Sequence, residues 1–108
     1  MGIMRSGLCL VVLLAAWASG AEAAEVTVRM AAADYAPARI EARVGDRLVF
    51  VNDDTLDHNV FVPTVGHGVD LGKQTPGSRA ELPLGKAGAF EVECVIHPDM
   101  HLAVQVAE

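Results

Sequence analysis

The chain has 108 residues, of which 52% are hydrophobic, and its formal net charge at pH 7 is −6. This length is enough for one small domain. The excess of acidic residues argues against nucleic acid and anionic lipid as partners, because both carry negative charge themselves. It is compatible with diffusional encounter with a cationic partner.

Residues 1–23 have the pattern of a secretory signal peptide. Arg5 supplies the positive charge, residues 8–17 form an uncharged apolar run, and Ala21-Glu22-Ala23 matches an A-x-A cleavage site. The apolar run is about half of the roughly 20 residues that a membrane-spanning helix needs. We therefore expect export to the periplasm and no stable membrane insertion. Residues 24–108 would form the mature domain, although cleavage after a neighbouring alanine stays open.

Cysteine usage narrows the chemistry of that domain. Cys9 would leave with the signal peptide, so Cys94 would be the single thiol of the mature chain in an oxidising compartment. It has no disulfide partner within the domain. An odd cysteine in an exported protein is a reactive thiol, half of an intermolecular bridge, or a metal ligand.

Apolar and polar residues alternate with a period of two through most of the chain after the signal peptide. Glycine, proline, aspartate and asparagine divide this pattern into segments of about four to seven residues, which is typical of β-strands. The pattern predicts an all-β sandwich or barrel with antiparallel strands, and loops with at most one short strand between Thr64 and Arg79. The apolar positions of the predicted strands are Val26, Val28 and Met30; Ile40, Ala42 and Val44; residues 48–51; residues 60–62; Leu82 and Leu84; Phe90, Val92 and Cys94; and Leu102, Val104 and Val106.

A Cys-x2-His-x2-Met segment lies between the last two predicted strands and comprises Cys94, His97 and Met100. A loop this short would bring the three side chains to one point at the end of the sandwich. His58, which opens an earlier predicted strand, is the candidate for a fourth ligand. Hard cations prefer oxygen ligands, whereas two imidazoles, a thiolate and a weak axial thioether form the ligand set of blue-copper electron-transfer sites. The sequence therefore predicts one copper ion in a type 1 site.

The same segments resemble the cupredoxin family, and most of all its amicyanin and pseudoazurin type. The resemblance implies a Greek-key β-sandwich with His58, Cys94 and His97 as equatorial copper ligands, Met100 as the axial ligand, and the ring edge of His97 as the electron port. The sequence differs from the family pattern in having Val92 in place of an aromatic residue, Leu102 in place of a glycine, and a second histidine, His101, after Met100. The matching segments are Val44-Gly45-Asp46, Phe50-Val51-Asn52-Asp53-Asp54, Asp57-His58-Asn59-Val60, Gly88-Ala89-Phe90 and Cys94-x2-His97-Pro98-x-Met100.

The remaining histidines are weaker candidates for ligands. His67 lies between two glycines, and we expect it to be a solvated loop residue. His101 could compete with Met100 for the axial position, but strand alternation predicts that its side chain points away from the site.

Other neighbours of the predicted ligands suggest supporting roles. Asn59 is expected to hold the ligand loops together through hydrogen bonds. Phe90, Val92 and Val60 are expected to form an apolar shell that keeps water from the metal. The aspartates at 53, 54 and 57 lack the ligand spacing of a calcium loop and are interpreted as a solvated turn.

These features predict a monomeric electron carrier that is not an enzyme. Its donor and acceptor would be redox proteins, for which a cytochrome c or a periplasmic oxidoreductase is a candidate. The alternative is a periplasmic copper-binding protein for copper delivery, storage or resistance. A third hypothesis makes Cys94 a nucleophile with His97 as its base, but no acidic residue is placed to orient that histidine.

Overall fold

The computed structural model describes residues 22–108, which form nine strands and no helix. Within this part of the chain, no helix has the length and apolar character needed to cross a membrane. The predicted signal peptide lies outside the described residues apart from residues 22 and 23. In chain order the strands are β1 (Glu25–Ala31), β2 (Asp34–Ala36), β3 (Arg39–Arg43), β4 (Arg47–Asn52), β5 (His58–Val62), β6 (Val69–Gln74), β7 (Arg79–Pro83), β8 (Gly88–Glu93) and β9 (His101–Ala107).

The strands form two sheets, which confirms the predicted all-β sandwich. One sheet has the order β2-β1-β4-β7 and the other the order β3-β9-β8-β5-β6. The prediction that all strands are antiparallel was wrong, because β1 pairs with β4 and β3 pairs with β9 in parallel. Alternation shows which residues face the core, whereas the direction of a strand depends on how the chain crosses between sheets.

The bounds of two strands were not predicted from the pattern. The region between Thr64 and Arg79, where the sequence allowed one short strand, contains β6, which pairs with β5 around a bulge between Val60 and Phe61. The short strand β2 pairs with β1 through a tight turn at Ala32 and Ala33, whose φ angles are 53° and 56°. Such turns usually carry glycine or asparagine, because a side chain with a Cβ disfavours positive φ. Two alanines gave no signal for a turn.

The core lies between the two sheets and consists of the inward-facing residues of each strand. The edge of the Tyr35 ring packs against Phe50 with 6.1 Å between ring centroids, which joins β2 to β4. His58, Cys94 and Met100 are buried at one end of this core, where the apolar packing meets the candidate site. The remaining members of the core are Val28, Met30, Ile40, Ala42, Leu48, Val60, Val62, Leu82, Leu84, Phe90, Val92, Leu102, Val104 and Val106.

Candidate metal centre

The fold brings the ends of two neighbouring strands together at the candidate site. β5 and β8 are antiparallel neighbours, and the ladder pairs Phe61 with Glu93. His58, the first residue of β5, therefore lies beside Cys94, which directly follows β8. His97 and Met100 lie in the connection between β8 and β9. Three of the four predicted ligands thus come from one short loop, as the sequence indicated.

Three ligand atoms converge on one point. Nδ1 of His58 is 3.2 Å from Nδ1 of His97, and Sγ of Cys94 is 4.0 Å and 3.7 Å from these two nitrogens. A triangle with these sides has its centre about 2.1 Å from each corner, which matches the bond lengths of a first-row metal to imidazole nitrogen and thiolate sulfur. His58 and Cys94 are buried and His97 is half-buried. The donor set and its spacing fit a copper ion of the type 1 class.

Met100 and His101 face opposite sides of the sheet. The side chain of Met100 is fully buried, and its backbone N–H donates to the carbonyl oxygen of His97 at 2.9 Å. Cys94 N–H donates in turn to the carbonyl oxygen of Met100 at 3.4 Å, which closes the loop. His101 is exposed, and its Nδ1 lies 3.7 Å from Oε1 of Glu91 on the outer face. The expectation that His101 points away from Met100 is confirmed.

The orientation of His58 is fixed by Asp54. Nε2 of His58 lies 2.9 Å from Oδ2 of Asp54. An ionised carboxylate only accepts hydrogen bonds, so Nε2 carries the proton and the lone pair of Nδ1 faces Cys94 and His97. A carboxylate that holds a ligating histidine in this way fixes its tautomer and its ring orientation.

Asp54 is held in its ionised form by the turn around it. Backbone N–H of Ala33 donates to Oδ2 at 2.9 Å and that of Thr55 to Oδ1 at 2.8 Å. The pKa of Asp54 is lowered from 3.8 to about 2. The hydrogen bond from Ala33 has the largest effect, followed by that from His58, and the bond from Thr55 adds to them. The Ala32-Ala33 turn between β1 and β2, with its positive φ angles, is therefore tied directly to the orientation of a predicted metal ligand.

The interpretation of the aspartate cluster as a solvated turn was wrong for Asp54. Its side chain is only 11% exposed, whereas Asp53 pairs with Arg29 at the surface and Asp57 is partly exposed. The sequence held one signal for this role: Asp54 precedes His58 by four residues, and a metal-ligating histidine usually donates its second N–H to an oxygen. The residue that supplies this oxygen depends on how the turn folds.

Asn52 holds the turn that carries Asp54. Its buried side-chain amide donates to the carbonyl oxygens of Leu56 at 2.9 Å and of Gln74 at 2.8 Å. Its Oδ1 accepts the backbone N–H of Asp54 at 2.9 Å. These bonds hold the turn between Asn52 and His58 in place. They also satisfy the hydrogen-bonding groups of the buried Asn52 amide.

Asn59 contacts the thiol of Cys94 as the sequence suggested, but mainly through its backbone. Its N–H donates to Sγ at 3.3 Å, and the thiol lies 3.8 Å from the side-chain oxygen Oδ1. This hydrogen bond links the start of β5 to the sulfur of Cys94. The carbonyl of the same residue accepts a hydrogen bond from the hydroxyl of Tyr35 at 2.5 Å.

Tyr35 was not identified from the sequence as part of the site. Its ring is buried, and burial, followed by the charges of Cys94 and Glu93, raises the pKa of its hydroxyl well above the ordinary value. The hydroxyl therefore stays protonated and donates to Asn59. This places a chain of two hydrogen bonds, through the backbone of Asn59, between β2 and the sulfur of Cys94.

We expect Tyr35→Phe to lower the free energy of unfolding by about 0.5–1.5 kcal/mol, because the half-buried carbonyl of Asn59 loses its donor. Chemical denaturation of the two forms measures this difference. If the chain of hydrogen bonds also positions the donor to Cys94, the reduction potential of the copper-loaded variant shifts as well. Equal stability and equal potential in both forms would show that the bond contributes nothing.

The predicted apolar shell is present only in part. Val60 and Val92 are fully buried on β5, which begins at His58, and on β8, which ends directly before Cys94. Phe90 lies four residues before Cys94, or about 13 Å along an extended strand. It stacks on the ring of His67 with 5.3 Å between centroids and lines a cavity of about 370 Å³ away from the predicted ligands.

His67 is not a fully solvated loop residue. Besides stacking on Phe90, its Nε2 lies 2.8 Å from the position that a Cβ would occupy at Gly88, whose φ is +136°. Glycine at position 88 therefore lets the ring lie close to the backbone of β8. His67 takes no part in the group formed by His58, Cys94 and His97.

Exposed aliphatic side chains occur in the loops next to the predicted ligands. Leu56 directly precedes the turn into His58, and Val95 and Ile96 directly precede His97; all three are exposed. Exposed aliphatic side chains can contribute to surfaces that bind other molecules. His97 itself is half-buried.

Comparison with known proteins gives one family. Residues 6–106 match the family described as the cupredoxin-like domain. The methylamine utilization protein MauL of Methylorubrum extorquens is 30% identical over 95 residues, which cover 87% of this chain and 83% of MauL. A Cu(I) form of a mutant amicyanin superposes with a TM-score of 0.71 at 23% identity and covers 75% of this chain and 80% of its own. A purple cupredoxin of Nitrosopumilus maritimus gives 0.68 at 22% identity, over 76% of this chain and 99% of its own.

Proposed function

The chain belongs to the cupredoxin-like family, and on that premise we propose that it is a periplasmic type 1 copper protein that carries single electrons between redox partners. The observation that carries the proposal is the convergence of two imidazole nitrogens and one thiol sulfur on a single buried point. His58, Cys94, His97 and Met100 would hold the metal. A copper ion in such a site supplies a one-electron couple between Cu(II) and Cu(I).

The protein's own part is to keep these ligands still while the charge at their centre changes. Asp54 fixes the ring of His58, and the N–H of Asn59 is aimed at the sulfur of Cys94. His58 and Cys94 are themselves buried, and the packing around them leaves little room for either ligand to move. A site that barely moves needs little reorganisation, which suits rapid electron transfer and leaves no open position for a substrate.

The half-buried ring of His97 is the proposed point of electron entry and exit. It lies in the same loop as the exposed side chains of Val95 and Ile96, which offer an apolar contact surface to a partner. A donor and an acceptor redox protein would use this surface in turn, each in a short-lived complex. A cytochrome c or a periplasmic oxidoreductase remains the candidate partner, and the carrier itself would be a monomer.

Export is supported by the sequence of residues 1–23 and by one contact at the start of the described chain. Backbone N–H of Ala24 donates to Oδ1 of Asp46 at 2.8 Å. Cleavage after Ala23 would turn this N–H into the amino terminus, and the hydrogen bond would become an ion pair with the carboxylate. The backbone hydrogen bond from Ala24, and after it that from Arg43, lowers the pKa of Asp46. The carboxylate therefore favours its ionised form, which can pair with a charged amino terminus.

The first test is the visible absorption spectrum of residues 24–108 reconstituted with Cu(II). We expect an intense band toward the red end of the spectrum that bleaches on reduction and returns on oxidation, because a thiolate bound to Cu(II) gives such a charge-transfer transition. The same protein loaded with Zn(II) should be colourless. Bound copper without this band would contradict electron transfer and leave copper delivery, storage or resistance as the function.

The burial of the methionines in residues 22–108 argues against that alternative. A carrier that exchanges copper needs accessible soft ligands, but the side chains of Met30 and Met100 are both fully buried. His101 lies on the outer face of the sheet.

Met100→Leu tests the axial ligand. We expect the variant to retain copper and its blue colour, because the axial bond is weak and leucine fills a similar volume. Loss of an axial donor destabilises Cu(II) more than Cu(I), so the midpoint potential should rise by about 59 mV or more, which corresponds to a tenfold change in their relative stability. Cyclic voltammetry measures this change.

His101→Ala, prepared without added divalent cations, is the control for this substitution. Its potential should equal that of the unsubstituted protein. An unchanged potential in Met100→Leu would instead show that Met100 is not a ligand.

A further inference from the structure

A second group of metal-ligating side chains lies outside the proposed copper centre. Glu91, Glu93 and His101 each offer one donor atom, and these atoms lie within 4.8 Å of one another. Nδ1 of His101 is 3.7 Å from Oε1 of Glu91. Glu91 and His101 are exposed and Glu93 is half-buried, so an ion could reach the group from solvent.

The ladder between β8 and β9 holds the three residues in place. Glu93 pairs directly with His101 in the register, and Glu91 lies two residues earlier on β8. Residues two apart on a strand point to the same face, and directly opposite residues have Cβ atoms about 4.5–5.5 Å apart. The buried residues Val92 and Leu102 point to the other face, which fixes the cluster on the outside of the sandwich.

The charge balance of the cluster favours a cation. Two carboxylates share one face at close range, which is unfavourable unless positive charge lies between them. Among residues 22–108, His101 is the only basic side chain within ion-pair distance of either carboxylate. By contrast, Glu25 and Glu81 in the other sheet both contact Arg47 and Arg79.

We propose that Glu91, Glu93 and His101 form a second metal site, which takes a first-row divalent cation of the class that prefers imidazole, such as Zn²⁺ or Cu²⁺. One nitrogen and two carboxylate oxygens suit these ions, with water completing the coordination. Ca²⁺ and Mg²⁺ need more oxygen ligands than the cluster provides. The site shares no ligand with the buried centre and does not depend on the function proposed for it.

A cation there would act on the buried centre through space. Glu93 directly precedes Cys94 and His101 directly follows Met100, so the two sites lie on opposite faces of the same strand ends. Added positive charge disfavours Cu(II) relative to Cu(I) and therefore raises the reduction potential. This coupling, unlike the site itself, rests on the proposed function.

The site is tested by titrating the copper-loaded protein with Zn²⁺ at low ionic strength and measuring the heat of binding by calorimetry. We expect the unsubstituted protein to bind one more Zn²⁺ than His101→Ala does. In Glu93→Gln the affinity of that ion should fall by more than about tenfold, since even the loss of a residue that only orients a metal ligand costs about 10–100-fold. Gln105→Ala, on the same face of β9, is the matched control and should bind like the unsubstituted protein.

Equal zinc stoichiometry in the unsubstituted protein and His101→Ala would overturn the site. This comparison holds whatever metal fills the buried centre, so its outcome is separate from that of the absorption test. Zinc should also raise the copper midpoint potential in the unsubstituted protein but not in His101→Ala. A potential that stays constant while zinc binds would overturn the coupling.

Discussion

Cys94→Ser is expected to abolish the intense visible absorption of the copper-loaded protein. The absorption arises from charge transfer between the thiolate and Cu(II), and a serine hydroxyl is neither a thiolate nor ionised at neutral pH. Cys94 is the one free cysteine within residues 22–108, so no other thiol there can take its place. Absorption spectra recorded at equal copper content measure the effect.

Val92→Ala is the control for the loss of buried volume. Val92 is fully buried on the same face of β8, two residues before Cys94, and its truncation destabilises the fold without removing a donor atom. We expect this variant to unfold more easily and yet keep its blue colour. A band that survives in Cys94→Ser would show that the thiolate is not a copper ligand, and the proposed centre would be wrong.

Asp54→Asn is expected to lower copper affinity by about 10–100-fold, the usual effect of losing a carboxylate that orients a ligating histidine. The carboxylate accepts from Ala33 and His58 on one oxygen and from Thr55 on the other. An amide has only one acceptor oxygen, so its NH₂ group must face at least one of these donors. Competition with a copper chelator measures the affinity.

Asp53→Asn is the matched control, because it removes a charge from the neighbouring position in the same turn. Within residues 22–108 the Asp53 side chain pairs with Arg29 at the surface, and we expect little change in copper affinity. An equal loss in both variants would mean that net charge, and not the orientation of His58, governs binding. No loss in Asp54→Asn would show that the ring of His58 is held by packing alone.

The same carboxylate predicts how stability depends on pH. Folding lowers the pKa of Asp54 from 3.8 to about 2, so the folded state favours the ionised form. The resulting stabilisation is fully present above the pKa of the unfolded chain and is lost as the pH falls from about 4 toward 2. The difference in unfolding free energy between the unsubstituted protein and Asp54→Asn should therefore shrink across this range.

The ligands of the proposed centre could be predicted from the sequence, whereas the residues that hold them in place could not. Cys94, His97 and Met100 lie within one loop, so their spacing alone predicts that they meet. Tyr35 reaches the sulfur of Cys94 only through Asn59, which lies on a strand of the other sheet. No local pattern links residues that far apart in the chain.

The sequence by itself determined most of the strands, their buried faces and the chemistry of the predicted ligands. A period of two is a local property of extended backbone, and the metal preference of thiolate, thioether and imidazole is a property of the side chains. Only the tertiary structure decided the parallel pairing of β1 with β4, the turn at Ala32 and Ala33, and the contact of Asp54 with His58. It also decided the grouping of Glu91, Glu93 and His101, because strand register and crossovers depend on how the two sheets pack and not on any one segment.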